Sequence, residues 1–310
     1  MARRRRGKPV HGWVALDKPL GLSSAQATAR VRRILDAAKA GHGGTLDPLA
    51  TGVLPIALGE ATKTVSWVMD GAKAYRFTVR WGEARNTDDS EGEIVETSEA
   101  RPDRAAIEAV LDRFIGEIEQ VPPAFSAIKI DGKRAYARAR AGETVEVAPR
   151  MVRIDTLTLV GQPDSDLAVF EVTCGKGTYI RSLARDLAAA LGTCGHVAEL
   201  RRTRSGPFIE EGAISLEVLE ALVHSAPPSD YLLAVETALD DIPALALNAA
   251  QADHLRHGRP VRAQGAEGRV FVNTGNLADG GVLCAMADGR PVALARLENG
   301  EIRPFRVLNI

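Results

Sequence analysis

The residues from Gly41 to Gly52, Gly-His-Gly-Gly-Thr-Leu-Asp-Pro-Leu-Ala-Thr-Gly, set one carboxylate, Asp47, in a tight polar turn. Its four glycines permit positive φ and close approach to a ligand, while Pro48 holds its own φ and biases Asp47 towards an extended backbone. Two uses of such a carboxylate follow. Either the turn presents a reactive group, or Asp47 caps its own backbone as an Asx turn, the ordinary fate of a lone Asp-Pro.

Other spacings invite different chemistries and fall short of them. Gly175-Lys176-Gly177-Thr178 is not a phosphate-binding loop, because Phe170 stands where its first glycine belongs and neither Ser nor Thr follows Lys176. Gly41-His42-Gly43 starts a dinucleotide fingerprint, yet Leu46 occupies its third glycine position and no strand-turn-helix unit frames it. His42 has no Cys or second His at ligand spacing, so no metal is expected. Hydrolysis of a glycosidic bond would need a second carboxylate beside Asp47. The acids on offer are Asp88, Asp89 and Glu91 in Asn86-Thr87-Asp88-Asp89-Ser90-Glu91-Gly92, which reads as a hairpin loop with Asp88 and Glu91 solvated.

The elements that must position these groups are a mixture of helix and strand. Val31, Ile34, Leu35 and Ala38 predict an amphipathic helix behind the cap Ser23-Ser24; Ile107, Val110, Leu111 and Phe114 predict a second. A third runs through Ile180, Leu183, Ala184, Leu187 and Leu191. Tyr75, Phe77, Val79 and Trp81 alternate with Arg76, Thr78 and Arg80, a strand with one apolar and one cationic face. Val152 to Val160 and Leu167 to Thr173 read as two strands joined by a turn. Strands and helices do not alternate strictly, which favours an α+β fold with an antiparallel sheet over a parallel one.

With 310 residues, 45% of them hydrophobic, the chain is long enough for a large domain plus a small one. No apolar run approaches the roughly 18 residues that span a bilayer, and the Arg3 to Arg6 cluster has no signal-peptide core behind it. Cys174, Cys194 and Cys284 are too scattered for a disulfide framework, which suits a reducing cytoplasm. A formal net charge of -1 means that any nucleic-acid surface must come from local segregation of charge. Three basic segments are candidates: the arm Arg3, Arg4, Arg5, Arg6 and Lys8, read alone as disordered; the stretch from Lys129 to Arg140, with five basic residues and one acidic; and Arg201, Arg202 and Arg204.

Several segments, in this order, resemble the TruB family of bacterial tRNA pseudouridine synthases: Leu16-Asp17-Lys18-Pro19-Leu20-Gly21-Leu22-Ser23-Ser24, the Asp47 turn running on to Leu58-Gly59-Glu60-Ala61-Thr62-Lys63, and Lys73-Ala74-Tyr75-Arg76. Pro122-Pro123-Ala124-Phe125-Ser126-Ala127-Ile128-Lys129, Gly175-Lys176-Gly177-Thr178-Tyr179-Ile180-Arg181 and Leu200-Arg201-Arg202 continue the series. The resemblance implies a pseudouridine synthase fold with a mixed, largely antiparallel sheet flanked by helices, plus a small β-rich PUA-like C-terminal domain. It implies isomerisation of uridine at position 55 in the T-loop of tRNA, without cofactor or metal. Asp47 matches the catalytic carboxylate, Arg181 the arginine that pairs with it, and Tyr75 the tyrosine that stacks on the flipped base. Tyr179 and Leu200 match pocket residues, His42 the residue that fills the gap left by the base, and Asp89 an aspartate that reaches the site. Lys18 and Pro19 match a supporting loop. The segment from Ala124 to Arg150 resembles the family's thumb, whose Lys129, Lys133, Arg134, Arg138 and Arg140 would grip phosphates. Asn86 departs from the commoner Asp of the pattern.

The expected organisation is a flexible arm at 1–9, a catalytic domain at 10–241 with the thumb near 124–150, and a C-terminal domain at 242–310, the last boundary marked by Ala226-Pro227-Pro228-Ser229 and Ile242-Pro243. The expected partner is the T-arm stem-loop of tRNA, and the expected state a cytoplasmic monomer. A non-catalytic tRNA-binding or folding-chaperone protein on the same scaffold is the rival from another class, and a nucleoside hydrolase the third.

Overall fold

In a computed structural model the described residues are 7–126, 129–130, 133–134, 147–262, 271–272 and 277–310. The Arg3 to Arg6 cluster and the thumb residues Arg138 and Arg140 lie outside them, as do the side chains of Lys129, Lys133 and Arg134.

The predicted alternation along 73–81 forms a central strand because Phe77, Val79 and Trp81 are all buried on one face. In chain order the strands are β1 (Gly12–Lys18), β2 (Ala40–His42), β3 (Ala50–Leu58), β4 (Lys73–Trp81), β5 (Glu83–Arg85), β6 (Ile94–Thr97) and β7 (Gly116–Gln120). After the short pair β8 (Lys129–Ile130) and β9 (Lys133–Arg134) come β10 (Arg150–Gly161), β11 (Leu167–Cys174), β12 (Gly195–Ser205) and β13 (Phe208–Ile209). The main sheet runs β1-β3-β12-β4-β11-β10-β7, with β2 added to β3 and β13 to β12. Every pairing is antiparallel except β12 with β3, so the sheet is mixed and largely antiparallel.

Helices α1 (Ser24–Ile34), α2 (Val65–Asp70), α3 (Arg104–Val110), α4 (Ile180–Ala190) and α5 (Leu216–Ser225) accompany it. Ser23 caps α1 in a capping box with Gln26, which leaves the next serine, Ser24, free to turn inward. The second predicted helix is α3 continued by a 3-10 turn over Leu111–Phe114. In α4 the buried positions Ile180, Leu183, Ala184, Leu187 and Ala188 form the stripe that packs on the sheet, and Arg181 and Ser182 are buried with them.

A second, six-stranded sheet holds β14 (Ala244–Ala246), β15 (Val261–Arg262), β16 (Phe271–Val272), β17 (Val282–Ala287), β18 (Arg290–Glu298) and β19 (Glu301–Val307) beside helix α6 (Ala249–Arg256). It joins the first unit through Lys63, which donates to the Val307 carbonyl at 2.7 Å, through Glu60, which accepts from the Asn309 amide at 2.8 Å, and through Trp67 stacked on Phe305. Lys8, placed in a flexible arm from sequence, instead bridges to Ala37: its amide donates to the Asp36 carbonyl and its carbonyl accepts from Ala38.

Candidate active site

The Asp47 turn enters β3, and two buried groups fix it from behind. Ser24 donates its hydroxyl proton to the Leu46 carbonyl at 2.9 Å and accepts from the Leu46 amide at 2.7 Å, satisfying both backbone groups of the residue before Asp47. The Arg202 guanidinium, also buried, donates to the carbonyls of Val53 at 2.8 Å, Gly44 at 3.2 Å and Thr45 at 3.4 Å. On the far side, the Pro48 carbonyl accepts from the Gly21 amide at 2.8 Å and from Lys18 Nζ at 3.3 Å. Of the loop's glycines, Gly44 and Gly52 take positive φ, at +129° and +95°. Gly44 stands against the Arg202 side chain and Gly52 against the Arg202 backbone, so here the freedom of glycine serves close packing on that residue.

Arg181, in the first turn of α4, gathers four acceptors. Nη2 meets Asp47 Oδ2 at 2.9 Å and the Phe125 carbonyl at 2.9 Å; Nη1 meets Asp89 Oδ2 at 3.3 Å and the Thr87 carbonyl at 2.8 Å. The planar fork of arginine makes this double engagement possible. The loop carrying Asp89 is held by backbone bonds to Val197 and by Thr87 Oγ1, which donates to Asp89 Oδ1 at 2.5 Å. Its neighbour Asp88 corrects the sequence reading of a solvated acid: the side chain is largely enclosed and pairs with Arg185 at 2.9 Å. Burial pushes the Asp88 carboxyl above its ordinary value, against the pull of Arg185 and Arg181.

Asp47 faces a cavity of about 290 Å³ whose lining includes Met69, Lys73, Tyr75, Arg150, Tyr179, Arg181, Leu200 and Arg202. Tyr75 comes from β4, and Leu200 and Arg202 from β12. Tyr179 sits at the start of α4, where Gln120 clamps its backbone by accepting from the amide at 2.8 Å and donating to the carbonyl at 3.1 Å. The Arg150 guanidinium lies 4.7 Å from the Tyr179 ring centre. Burial raises the Tyr75 phenol above its usual value, with Arg202 acting in the opposite sense. Lys73 donates to the carbonyls of Val68, Met69 and Gly71, and burial, with Arg202 adding to it, brings its ammonium down to about 8.

Of the sequence candidates, Asp47, Tyr75, Arg181, Tyr179 and Leu200 are brought together on this cavity. Asp89 stands behind Arg181 rather than in the lining. Lys18 is fully buried beneath the turn and donates to the carbonyls of Pro19, Leu22 and Pro48; burial brings its ammonium down to about 8, opposed by the charge of Asp47. His42 is half-buried on β2, outside the lining, with Nδ1 enclosed; burial and then Arg202 lower its pKa. The backbone of Lys129 lies in β8, its side chain is outside the described residues, and Arg138 is wholly outside them. The third basic cluster is largely engaged within the protein, with Arg204 alone of the three exposed. Arg201 pairs with Asp17 and Glu210, Arg202 is buried, and Arg204 donates to the Gly206 carbonyl.

Sequence reasoning missed Ser24, Lys73, Gln120 and Arg202. For Arg202 a signal was present: in a strand, residues two apart share a face, so Arg202 faces the same way as Leu200 and opposite to Arg201. Chemically the site offers a carboxylate fixed beside a buried guanidinium, two phenols and an apolar wall, an enclosure suited to a planar base attached to a charged backbone outside. Among the described residues no group of three His, Cys, Asp or Glu is placed to hold a metal ion.

Residues 32–180 match the family described as TruB family pseudouridylate synthase (N terminal domain), and residues 181–240 match the tRNA pseudouridylate synthase B C-terminal domain. The tRNA pseudouridine synthase B of Rhodospirillum rubrum is 55% identical over 310 residues, covering the whole of both chains. That of Bradyrhizobium diazoefficiens is 57% identical over 312 residues, covering 99% of this chain and 88% of the other. Among solved structures, a chain of a Cbf5-Nop10-Gar1 complex superposes with a TM-score of 0.76 at 27% identity, over 96% of this chain and 85% of that one.

Proposed function

This chain belongs to the TruB family of tRNA pseudouridine synthases, and from that membership we propose that it isomerises uridine to pseudouridine at position 55 in the T-loop of tRNA. The observation that carries the reading is the Asp47–Arg181 pair facing a cavity that Tyr75, Tyr179 and Leu200 help to line. A uridine inside a folded T-loop must be unstacked and drawn into such an enclosure before chemistry can begin. The C1′–N1 bond then breaks, the uracil turns, C5 bonds to C1′, and the proton displaced from C5 is balanced by one gained at N1.

Asp47 takes one of two parts in this sequence: it adds covalently to the ribose or base, or it supports a glycal formed by loss of a ribose proton. Arg181 keeps the carboxylate aimed in either case. Tyr75 stacks on the base and assists proton transfer, while Tyr179 and Leu200 retain the free uracil in its pocket. The substrate is the T-arm stem-loop, gripped by the thumb and by the small C-terminal domain, and the protein acts as a cytoplasmic monomer. Among the described residues no helix is long and apolar enough to cross a membrane.

The test is tRNA carrying 5-tritiated uridine. Tritium released to water without free uracil is the expected result. Free uracil would indicate hydrolysis instead, and binding with neither product would indicate a non-catalytic tRNA-binding protein.

A further inference from the structure

Four strands contribute one residue each to a row across the sheet. Lys18 on β1 pairs with Gly52 on β3, Gly52 with Arg202 on β12, and Arg202 with Tyr75 on β4. Directly opposed residues of a ladder present their side chains to the same face. Two cations and a phenol therefore share one side of the sheet, with a glycine between the cations. That glycine cannot be replaced without moving the row: at Gly52 an added Cβ would lie 2.2 Å from the Arg202 carbonyl oxygen.

Arg202 is 1% exposed. Among the described residues no carboxylate pairs with it; its donors go to the carbonyls of Gly44, Thr45 and Val53. Gly44 and Thr45 immediately precede Leu46 and Asp47, so the guanidinium is bonded to the backbone of the turn itself. On the neighbouring strand Tyr75 stands directly opposite Arg202, and both residues line the same cavity. A buried charge balanced by carbonyl dipoles rather than a counter-charge acts strongly on its neighbours, because little water screens it.

We propose that Arg202 is a positioning residue for the isomerisation, holding the Asp47 turn through its carbonyls and orienting the Tyr75 phenol, so that carboxylate and phenol keep a fixed relation while the base is detached, turned and rejoined. A positive guanidinium fixed beside a phenol favours the orientation in which the phenol oxygen faces the charge and its O–H points away, into the cavity. Lysine keeps the charge but lacks the fork that serves both sides at once.

This inference rests on the chain being a pseudouridine synthase, and its test separates the two. The full-length protein is labelled with tyrosine carrying 13C at Cζ; there are only four tyrosines, so the Tyr75 resonance is assigned by its loss in Tyr75→Phe. In Arg202→Met the single-turnover rate constant at saturating tRNA falls about 100-fold, and in Arg202→Lys about tenfold, while the half-saturating tRNA concentration stays within about threefold. The Tyr75 resonance moves in both variants and that of Tyr231, on the edge of the core, stays in place. If Arg202→Met does not fold, Arg202→Lys carries the same test. A folded Arg202→Lys variant with the wild-type rate, or with an unmoved Tyr75 resonance, overturns the proposal. A wild-type protein that is inactive on tRNA, but whose Tyr75 resonance still responds to Arg202, overturns the functional reading and leaves the coupling standing.

Discussion

Arg181 and Asp47 meet at 2.9 Å with unequal exposure, the arginine side chain 4% exposed and the aspartate 36%. The cation is the anchored partner and the carboxylate the one left open to a substrate. Arg181 also holds Asp89, whose side chain is as buried as its own. In Arg181→Met, Asp89 keeps a buried charge without its guanidinium, which costs about 3–5 kcal/mol of stability. In Arg181→Lys the charge remains but a single ammonium cannot serve both carboxylates and two carbonyls. Single-turnover rates are expected to fall about 100-fold or more in both variants, and urea unfolding should show the larger loss of stability in Arg181→Met. Equal stability of the two variants would contradict this division of roles.

Ser24→Ala removes both hydrogen bonds to Leu46 and leaves a buried amide and carbonyl unpaired. The expected cost is about 1–3 kcal/mol. Because the loss falls on the residue adjoining Asp47, the rate on bound tRNA should drop about tenfold with little change in affinity. Stability and single-turnover rate, measured on the same preparation, check the claim. A destabilised variant with an unchanged rate would show that the turn keeps its shape without Ser24.

Lys18 sets a pH dependence of stability. Burial brings its ammonium from 10.5 to about 8, so on raising the pH the folded chain gives up this proton first. Between about pH 8 and 10.5 the unfolded chain holds more protons, and stability from this group rises with pH across that window. It is lost as pH falls through 8, with an upper bound of about 3 kcal/mol from the size of the shift. Lys73 is brought down to about 8 as well, so the wild type alone would not isolate Lys18. The comparison is therefore with Lys18→Met: the wild type should gain thermal midpoint relative to the variant as pH rises from 8 to 10. A gap independent of pH would contradict the account.

Much of the framework was legible because periodicity reports burial directly. The alternation along β4, the paired strands β10 and β11, and the apolar stripe of α4 all lie where the residue pattern put them. The glycines and proline marked the Asp47 turn for the same local reason. What the pattern could not report was the partner of a charged side chain. Arg201, Arg202 and Arg204 read as one basic cluster, but their partners, Asp17, Glu210 and the carbonyls of Gly44, Thr45 and Val53, are mostly far away in the chain. Asp88 looked solvated because nothing nearby in sequence announced Arg185. Ser24 was hidden beside the cap residue Ser23, which accounts for the helix start on its own.

The central claim is that Asp47 performs the isomerisation of a tRNA uridine, and Asp47→Asn tests it most directly. The substitution keeps the shape of the side chain and removes its negative charge and nucleophilicity. Tritium release from 5-tritiated uridine in saturating tRNA should be abolished, while affinity for tRNA stays close to that of the wild type. Substantial tritium release by Asp47→Asn under these conditions would contradict the account.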